Sequence, residues 1–504
     1  MDLTSISKGD FNFFTLLWKK GETVVAFTKR SKTSISNSLE PLQGKPRTPY
    51  RLTDLRSIAP LVVFRILFGA IMFASIIRFI LKGWIEELYI KPKFHFTYYG
   101  FGWVKSLGDP GMYIIFTVMA AAAFLVMIGW HYRWAIVTFF ITFTYVELID
   151  KTTYLNHYYF VSIISFLLIL LPANRFFSVD CLINPSLRSP GVQRWAIDVI
   201  KLQLGLVYFF AGLAKLNYDW LVLAMPLRIW LPAHNDFPLL GSLFDEVWVA
   251  YAFSWMGAIY DLTIPFLLLY KRTRSMAFLL VLVFHILTVS LFPIGMFPYI
   301  MILSTMIFFS DSFHQKFING LNKILISLTT RKYSHSTSTF TWQSGYAHNV
   351  SPLIKATLIA YFSIQLLLPM RFLFYPGKLF WTEQGYRFSW RVMLMEKNGV
   401  AFFYIKNPTN GDEWEITNRE YLTPLQEKMM ASQPDMMLQF AHYLEEHYKK
   451  QGITDPEIRV KSFVTLNGRE SKPLVDENLD LTKEEESFKH KDWITDSNFI
   501  DTER

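Results

Sequence analysis

The residue best placed to do chemistry in this sequence is a single amine. Lys215 follows the apolar run LVYFFAGLA (206–214). An ionisable side chain at the edge of such a run is costly and rare, which makes it a functional hypothesis by default. Kept short of water, an amine can stay neutral and accept a proton, the work of a general base. The other reading is a lysine whose stem lies in the apolar layer while its ammonium snorkels to the interface. Position alone leaves both open. Asn156 and His157 open a further apolar run. His157 could relay a proton or donate a hydrogen bond to a substrate oxygen, although a lone interfacial histidine is more often just a satisfied polar group. His285 lies deeper, in LVLVFHILTVSLF (280–292), where a structural role is the first expectation. Arg65 in VVFRILFGA (62–70) and Asp261 in AIYDLTIPF (258–266) are equally misplaced for lipid and are expected to form a structural ion pair.

Other chemistries are excluded. One cysteine, Cys181, rules out an intrachain disulfide, a CxxC redox pair and a thiolate cluster. HExxH and HxxxH spacings are missing, His442 and His447 are five apart, and no GxSxG, P-loop or dinucleotide fingerprint occurs. No metal is expected.

The elements that must position these residues are membrane helices. Of 504 residues 52% are hydrophobic and only 18% charged, against roughly 25% charged in soluble chains. Apolar runs fall near 58–81, 112–130, 134–149, 157–172, 196–214, 248–269, 275–292, 297–310 and 351–370, about nine spans, with 134–172 the least regular. The net charge of +9 sits in short clusters between these runs, so it reads as the positive-inside signal and not as nucleic-acid binding. The cationic segment 1–56 is expected in the cytoplasm, with a helical membrane domain over 57–370 and a soluble domain over 371–504 on the opposite side. The start carries no signal-peptide pattern, so the first span is expected to drive export. Four lysines in the outward loop 82–111 run against the charge rule.

The outer domain reads as β-rich α+β. Strands are expected at 388–395, 400–406 and 413–417, an amphipathic helix over 424–450, and a hairpin through 458–475 turning at Asn467-Gly468. The acidic tail after Asp476 reads as mobile. Asn407-Pro408-Thr409 is blocked as a glycosylation site, which leans toward a bacterial inner membrane over the endoplasmic reticulum.

The segments LIDKTTYLNHYYF (148–160), LPANRFFSVD (171–180), VYFFAGLAKLNYDW (207–220), FHILTVSLFPIGMFPYIMI (284–302) and GYRFSWRVMLM (385–395) resemble, in sequence and order, the vitamin K-dependent γ-glutamyl carboxylases. The resemblance runs from about Arg56 to about Asp476. It implies an enzyme that oxidises reduced vitamin K (menaquinol or phylloquinol) with O2 to the epoxide. That reaction is used to remove a γ-proton from a peptide glutamate, and CO2 then adds. The same resemblance assigns the initiating base to Lys215, the active-site asparagine and histidine to Asn156 and His157, and the quinone site to His285, Lys215 and Tyr299. The glutamyl substrate falls to Trp390, Arg391, Met393 and Arg228, near the stretch 390–399. Partners so implied are the bilayer, a lipid-soluble quinone and a glutamate-containing peptide or protein. Ala214 stands where animal members carry a second lysine, and their disulfide has no counterpart here. Quinone oxygenation without carboxylation, or a non-catalytic membrane protein that binds a partner through its outer domain, are the alternatives.

Overall fold

The computed structural model describes residues 51–328 and 350–496. Most of the cationic N-terminal segment (1–50), the stretch 329–349 with Arg331 and Lys332, and the last residues 497–504 lie outside the described residues.

A short strand, β1 (Leu55–Ser57), leads into α1 (Ala59–Leu81), α2 (Gly108–Ile128), α3 (Tyr132–Ile149) and α4 (Asn156–Leu170). After β2 (Gly191–Gln193) come α5 (Trp195–Ala214), α6 (Val247–Leu269), α7 (Arg274–Leu291), α8 (Phe297–Thr305), the amphipathic α9 (Asp311–Leu328) and α10 (Pro352–Leu367). Among the described residues, seven helical segments are long and apolar enough to cross a membrane; α4 and the run Phe297–Phe308 are apolar but shorter. At 1.5 Å per residue these two span only about 22 and 18 Å, short of a hydrocarbon core of about 30 Å. They tolerate this because they lie inside the bundle, with Phe160, Ile164, Leu167 and Leu168 of α4 and Ile300 and Met301 of α8 all buried.

The two sides of the bundle are tied separately. β1 pairs antiparallel with β2, so the residues preceding α1 and α5 share one side. The loops on the other side meet the C-terminal domain. Lys93 Nζ donates to the Glu420 carbonyl at 2.9 Å, Lys151 Nζ lies 2.7 Å from Asp435, and Arg469 pairs with Asp219 at 2.5 Å. Phe94 and Phe96 join the core of the C-terminal domain. The outward cations at Lys93 and Lys151 therefore bind acceptors of the outer domain. Burial by itself would raise the Asp435 carboxyl, but Arg387 and Lys151 outweigh it and hold the group well below the usual carboxylate range.

Arg65 does not meet Asp261, which corrects the expected ion pair. Arg65 is fully buried near the β1–β2 side and donates to the carbonyls of Ala173 at 3.0 Å and Phe177 at 2.6 Å. These carbonyls lie just past the C-terminus of α4, where the helix dipole favours a cation. Gly129 caps α2 with φ +68°, and a Cβ there would lie 2.6 Å from Arg65 Nη1, so only glycine fits.

The C-terminal domain is a four-stranded antiparallel sheet, β3 (Lys397–Lys406), β4 (Glu413–Glu415), β5 (Glu457–Leu466) and β6 (Lys472–Pro473), in the order β4-β3-β5-β6. Phe403 and Val460 on one face bury against Met437, Phe440 and Leu444 of α12 (Pro434–Lys450). The expected hairpin turn falls on Asn467 and Gly468, both with positive φ. Three expectations fail. Residues 388–395 form a loop, because Phe388, Trp390 and Met393 take φ of 61°, 60° and 52°, which no strand allows. The single helix over 424–450 is two, α11 (Pro424–Met430) and α12, because the residue before Pro434 leaves helical geometry. The tail after Asp476 is packed as far as residue 496, with Leu481, Trp493 and Ile494 in the domain core and Ile494 bridging Val475.

Candidate active site

The site begins with a close helix crossing. A Cβ added to Gly212 of α5 would lie 2.7 Å from the Leu262 side chain and 2.8 Å from its backbone nitrogen on α6. Small residues at membrane-helix contacts let two backbones approach in this way. One turn outward on the same seam, Gly257 leaves room for the stem of Lys215, whose Cε would stand 3.8 Å from a Cβ there.

Lys215 caps α5 and is 6% exposed; its Nζ donates to Asp261 Oδ2 at 2.6 Å and to the Ala211 carbonyl at 3.4 Å. The Trp220 ring covers it, with Nζ 5.5 Å from the centroid, and Trp220 is fixed by donating Nε1 to the Ser254 carbonyl at 2.8 Å. The amine is therefore neither a snorkelling lysine nor a lone one. It shares a dry site with a carboxylate.

Lys215 and Asp261 lie on the wall of a cavity of about 440 Å³. Met256, Ile259 and Val283 line it and are more than half exposed, so it opens toward lipid between α6 and α7. On the far wall, His285 is 1% exposed, and its Nε2 lies 3.2 Å from the Tyr208 hydroxyl. That hydroxyl also stands 3.4 Å from Thr305 Oγ1. Among the described residues His285 Nδ1 is buried with no hydrogen-bond partner, a demand that a bound molecule can meet.

The outer domain reaches this cavity through the 388–395 loop, which places Val392 and Met393 on its wall. Asn156 anchors the loop: its Nδ2 donates to the Arg391 carbonyl at 3.0 Å while its Oδ1 accepts from the Tyr154 hydroxyl at 3.2 Å. His157 is buried behind Phe297, with ring centroids 6.0 Å apart, and Phe297 lies 5.6 Å from His285 and lines the cavity. Of the expected residues, Lys215, His285 and Met393 therefore share one cavity, whereas Asn156 and His157 stand one layer behind its wall. Neither Asn156 nor His157, which the resemblance assigns to the active site, lines this cavity.

Tyr299 faces away, 49% exposed. On α8, Phe297 and Met301 point to the cavity, and a residue two positions from either is rotated by about 200°. Trp390 is buried against Tyr159, with centroids 5.0 Å apart, and lines no part of the cavity. The Arg391 guanidinium stacks over Phe372 at 4.4 Å, and burial lowers it to about 10, so it stays charged at neutral pH. Arg228 is half-buried on the short helical turn Leu227–Trp230 and is not on the cavity wall, although Leu227 and Trp230 are. Asp261 was assigned the wrong partner in sequence, and Tyr208, Trp220 and Thr305 were not singled out. A stripe was there to be read: Tyr208, Ala211 and Lys215 on α5, and Ser254, Gly257 and Asp261 on α6, repeat at the helical spacing of three, four and seven.

A buried amine and carboxylate line a cavity open to lipid, beneath an extramembrane domain that supplies part of the wall, in an integral membrane protein. Residues 50–313 match the family model of the HTTM domain. Residues 350–499 match that of the vitamin K-dependent gamma-carboxylase lumenal domain. The chain belongs to the vitamin K-dependent γ-glutamyl carboxylase family, with its C-terminal domain on the non-cytoplasmic side. No solved structure matches the chain.

Proposed function

We propose that this protein uses reduced vitamin K, O2 and CO2 to carboxylate the γ-carbon of a peptide glutamate, from a bacterial inner membrane with its N-terminus in the cytoplasm. The observation that carries the reading is Lys215 Nζ at 2.6 Å from Asp261 on an apolar cavity open to lipid.

The cavity suits the quinol chemically. Apolar walls accept its ring and isoprenoid tail, and its volume lies within the range of roughly 300–1,000 Å³ common for small-molecule sites. His285 Nδ1 is an unsatisfied polar atom to meet a ring oxygen. With O2, the bound quinol supplies the base strength needed at the glutamyl γ-carbon. The protein's own residues have simpler tasks. In the form in which the pair's one proton sits on Asp261, the Lys215 amine is free and takes the hydroxyl proton as a general base. Asp261 stabilises the ammonium so formed, and the proton rests at Nζ. Tyr208 and Thr305 fix the orientation of the His285 ring. The apolar wall keeps out water that would quench a strong base. Met393 and Val392 carry the peptide-binding loop to the same cavity, and Asn156 holds that loop in register through Arg391.

The test is epoxide formation from reduced vitamin K and O2 by the purified full chain, beside Lys215→Ala, with labelled CO2 and a glutamyl peptide present. Wild type forms epoxide and labels the peptide, and Lys215→Ala does neither. Epoxide without label would leave oxygenation and remove carboxylation; epoxide from Lys215→Ala would remove the base assignment.

A further inference from the structure

A second cavity, of about 800 Å³, lies between the bundle and the outer domain and shares no lining residue with the first. Its walls change character with depth. The lower wall is apolar, formed by Phe140 and Leu148 of α3, Ile163 and Phe166 of α4, and Ile364 of α10. Ile364 is 56% exposed, so this half opens sideways to lipid. The upper wall is charged and belongs to the extramembrane side: Lys151, Arg371, Arg387, Lys489 and Lys491.

The charges do not cancel. Glu147, Glu383, Asp435 and Glu486 are the cavity's carboxylates. Asp435 is taken by Lys151 and Arg387, Glu486 lies 3.6 Å from Lys151, and Glu383 is neutralised from outside the cavity by Lys397 at 2.9 Å. Among the described residues Arg371 donates only to the Arg387 carbonyl at 2.8 Å, and Lys491 only to the Ser487 carbonyl at 3.3 Å. Neither has a carboxylate within ion-pair distance among the described residues. Two half-buried cations thus face the cavity with donors to spare, directly above an apolar groove. Thr144 Oγ1, one helical turn below Leu148, is buried without a partner among the described residues. A hydroxyl there is placed to meet an ester carbonyl between a head and a tail. Glu147 is the one carboxylate on that lower wall that opposes an anion.

We propose that this cavity binds an anionic phospholipid, its phosphate against Arg371 and Lys491 and one acyl chain along the groove between α3, α4 and α10. Such a lipid clamps the outer domain to the bundle at a point where protein contacts alone leave a void. A zwitterionic lipid offers the same chain, but its own ammonium competes for the phosphate. Inorganic phosphate offers the charge without the chain.

The experiment uses the full chain, delipidated in neutral detergent, with dioleoyl phosphatidylglycerol, dioleoyl phosphatidylcholine or inorganic phosphate added. Bound lipid is read by native mass spectrometry and thermal stability in parallel. Wild type retains phosphatidylglycerol over phosphatidylcholine by about tenfold, the value of one good charge-assisted contact, and inorganic phosphate does not protect. Arg371→Gln with Lys491→Gln brings the two lipids to within about twofold. If that variant does not fold, Lys491→Gln alone and Ile364→Trp, at a lipid-exposed position, each reduce phosphatidylglycerol retention. Equal retention of both lipids by wild type, an unchanged preference in the variants, or equal protection by inorganic phosphate overturns the proposal.

Discussion

Replacing the Lys215–Asp261 pair one partner at a time and then together separates folding from chemistry. Both side chains are buried, at 6% and 4% exposure, and their charged atoms are 2.6 Å apart. Lys215→Met leaves a carboxylate, and Asp261→Leu an ammonium, without a counter-charge in an apolar wall. Breaking such a pair costs about 3–5 kcal/mol, whereas exchanging the whole pair for apolar groups of similar volume is near neutral or stabilising. Each single variant should therefore lose about 3–5 kcal/mol, and the double variant should stand within about 1 kcal/mol of wild type. Stability is read by pulse proteolysis in detergent, and epoxide formation is measured on the same samples. All three variants are expected to be silent in the epoxide assay, and the double variant silent although fully folded. Two outcomes would refute the reasoning. Singles within about 0.5 kcal/mol of wild type would mean that the pair is not dry. A double variant that still forms epoxide would mean that Lys215 is not the base.

Three further outcomes are expected. Gly212→Val forces α5 and α6 apart, since even a Cβ meets Leu262 at 2.7 Å; the variant inserts in the membrane but loses epoxide formation by at least about tenfold, because the pair no longer meets. Tyr208→Phe removes one hydrogen bond from His285 and raises the KM for quinol by about two- to tenfold with little effect on expression. The Asp435 carboxyl is held well below its ordinary range by Arg387 and Lys151 against the opposing effect of burial. Its contribution is therefore present above about pH 4 and lost as pH falls further; Asp435→Asn costs about 3 kcal/mol at neutral pH and flattens that acid limb in a proteolysis assay.

Much of the scaffold was legible because lipid leaves so few options. Nine apolar runs, their alternation and the outward C-terminal domain all follow from where the chain can and cannot carry charge. The site was legible only one residue at a time. Lys215 and Asp261 both stood out as misplaced, but pairing them requires the relative rotation of α5 and α6, helices joined by more than thirty residues of loops and short helical turns. Helical periodicity fixes the face of one helix and says nothing about which face of another it meets. Asp261 was matched to Arg65 by opposite charge alone; the structure gives the two terminal nitrogens of Arg65 backbone carbonyls, which a sequence does not display as partners. Tyr299 stays off the cavity wall for a local reason, two positions from residues that do face it. The 388–395 segment has the apolar alternation of a strand, yet its left-handed residues follow from where the loop must reach and not from its composition.

Lys151 also bears on the order in which the molecule is made. It is 2% exposed and held by Asp435 and Glu486, so the first of its neutralising groups, Asp435, leaves the ribosome roughly 280 residues after it does, on the order of 15–60 s later at ordinary elongation rates. During that interval the half-built protein must keep an unpaired cation on the far side of the membrane, where the charge rule discourages it. The same contact that seals the finished molecule is thus a late step of biogenesis. A chain that stalls before its outer domain emerges is left with a solvated lysine where a joint should be.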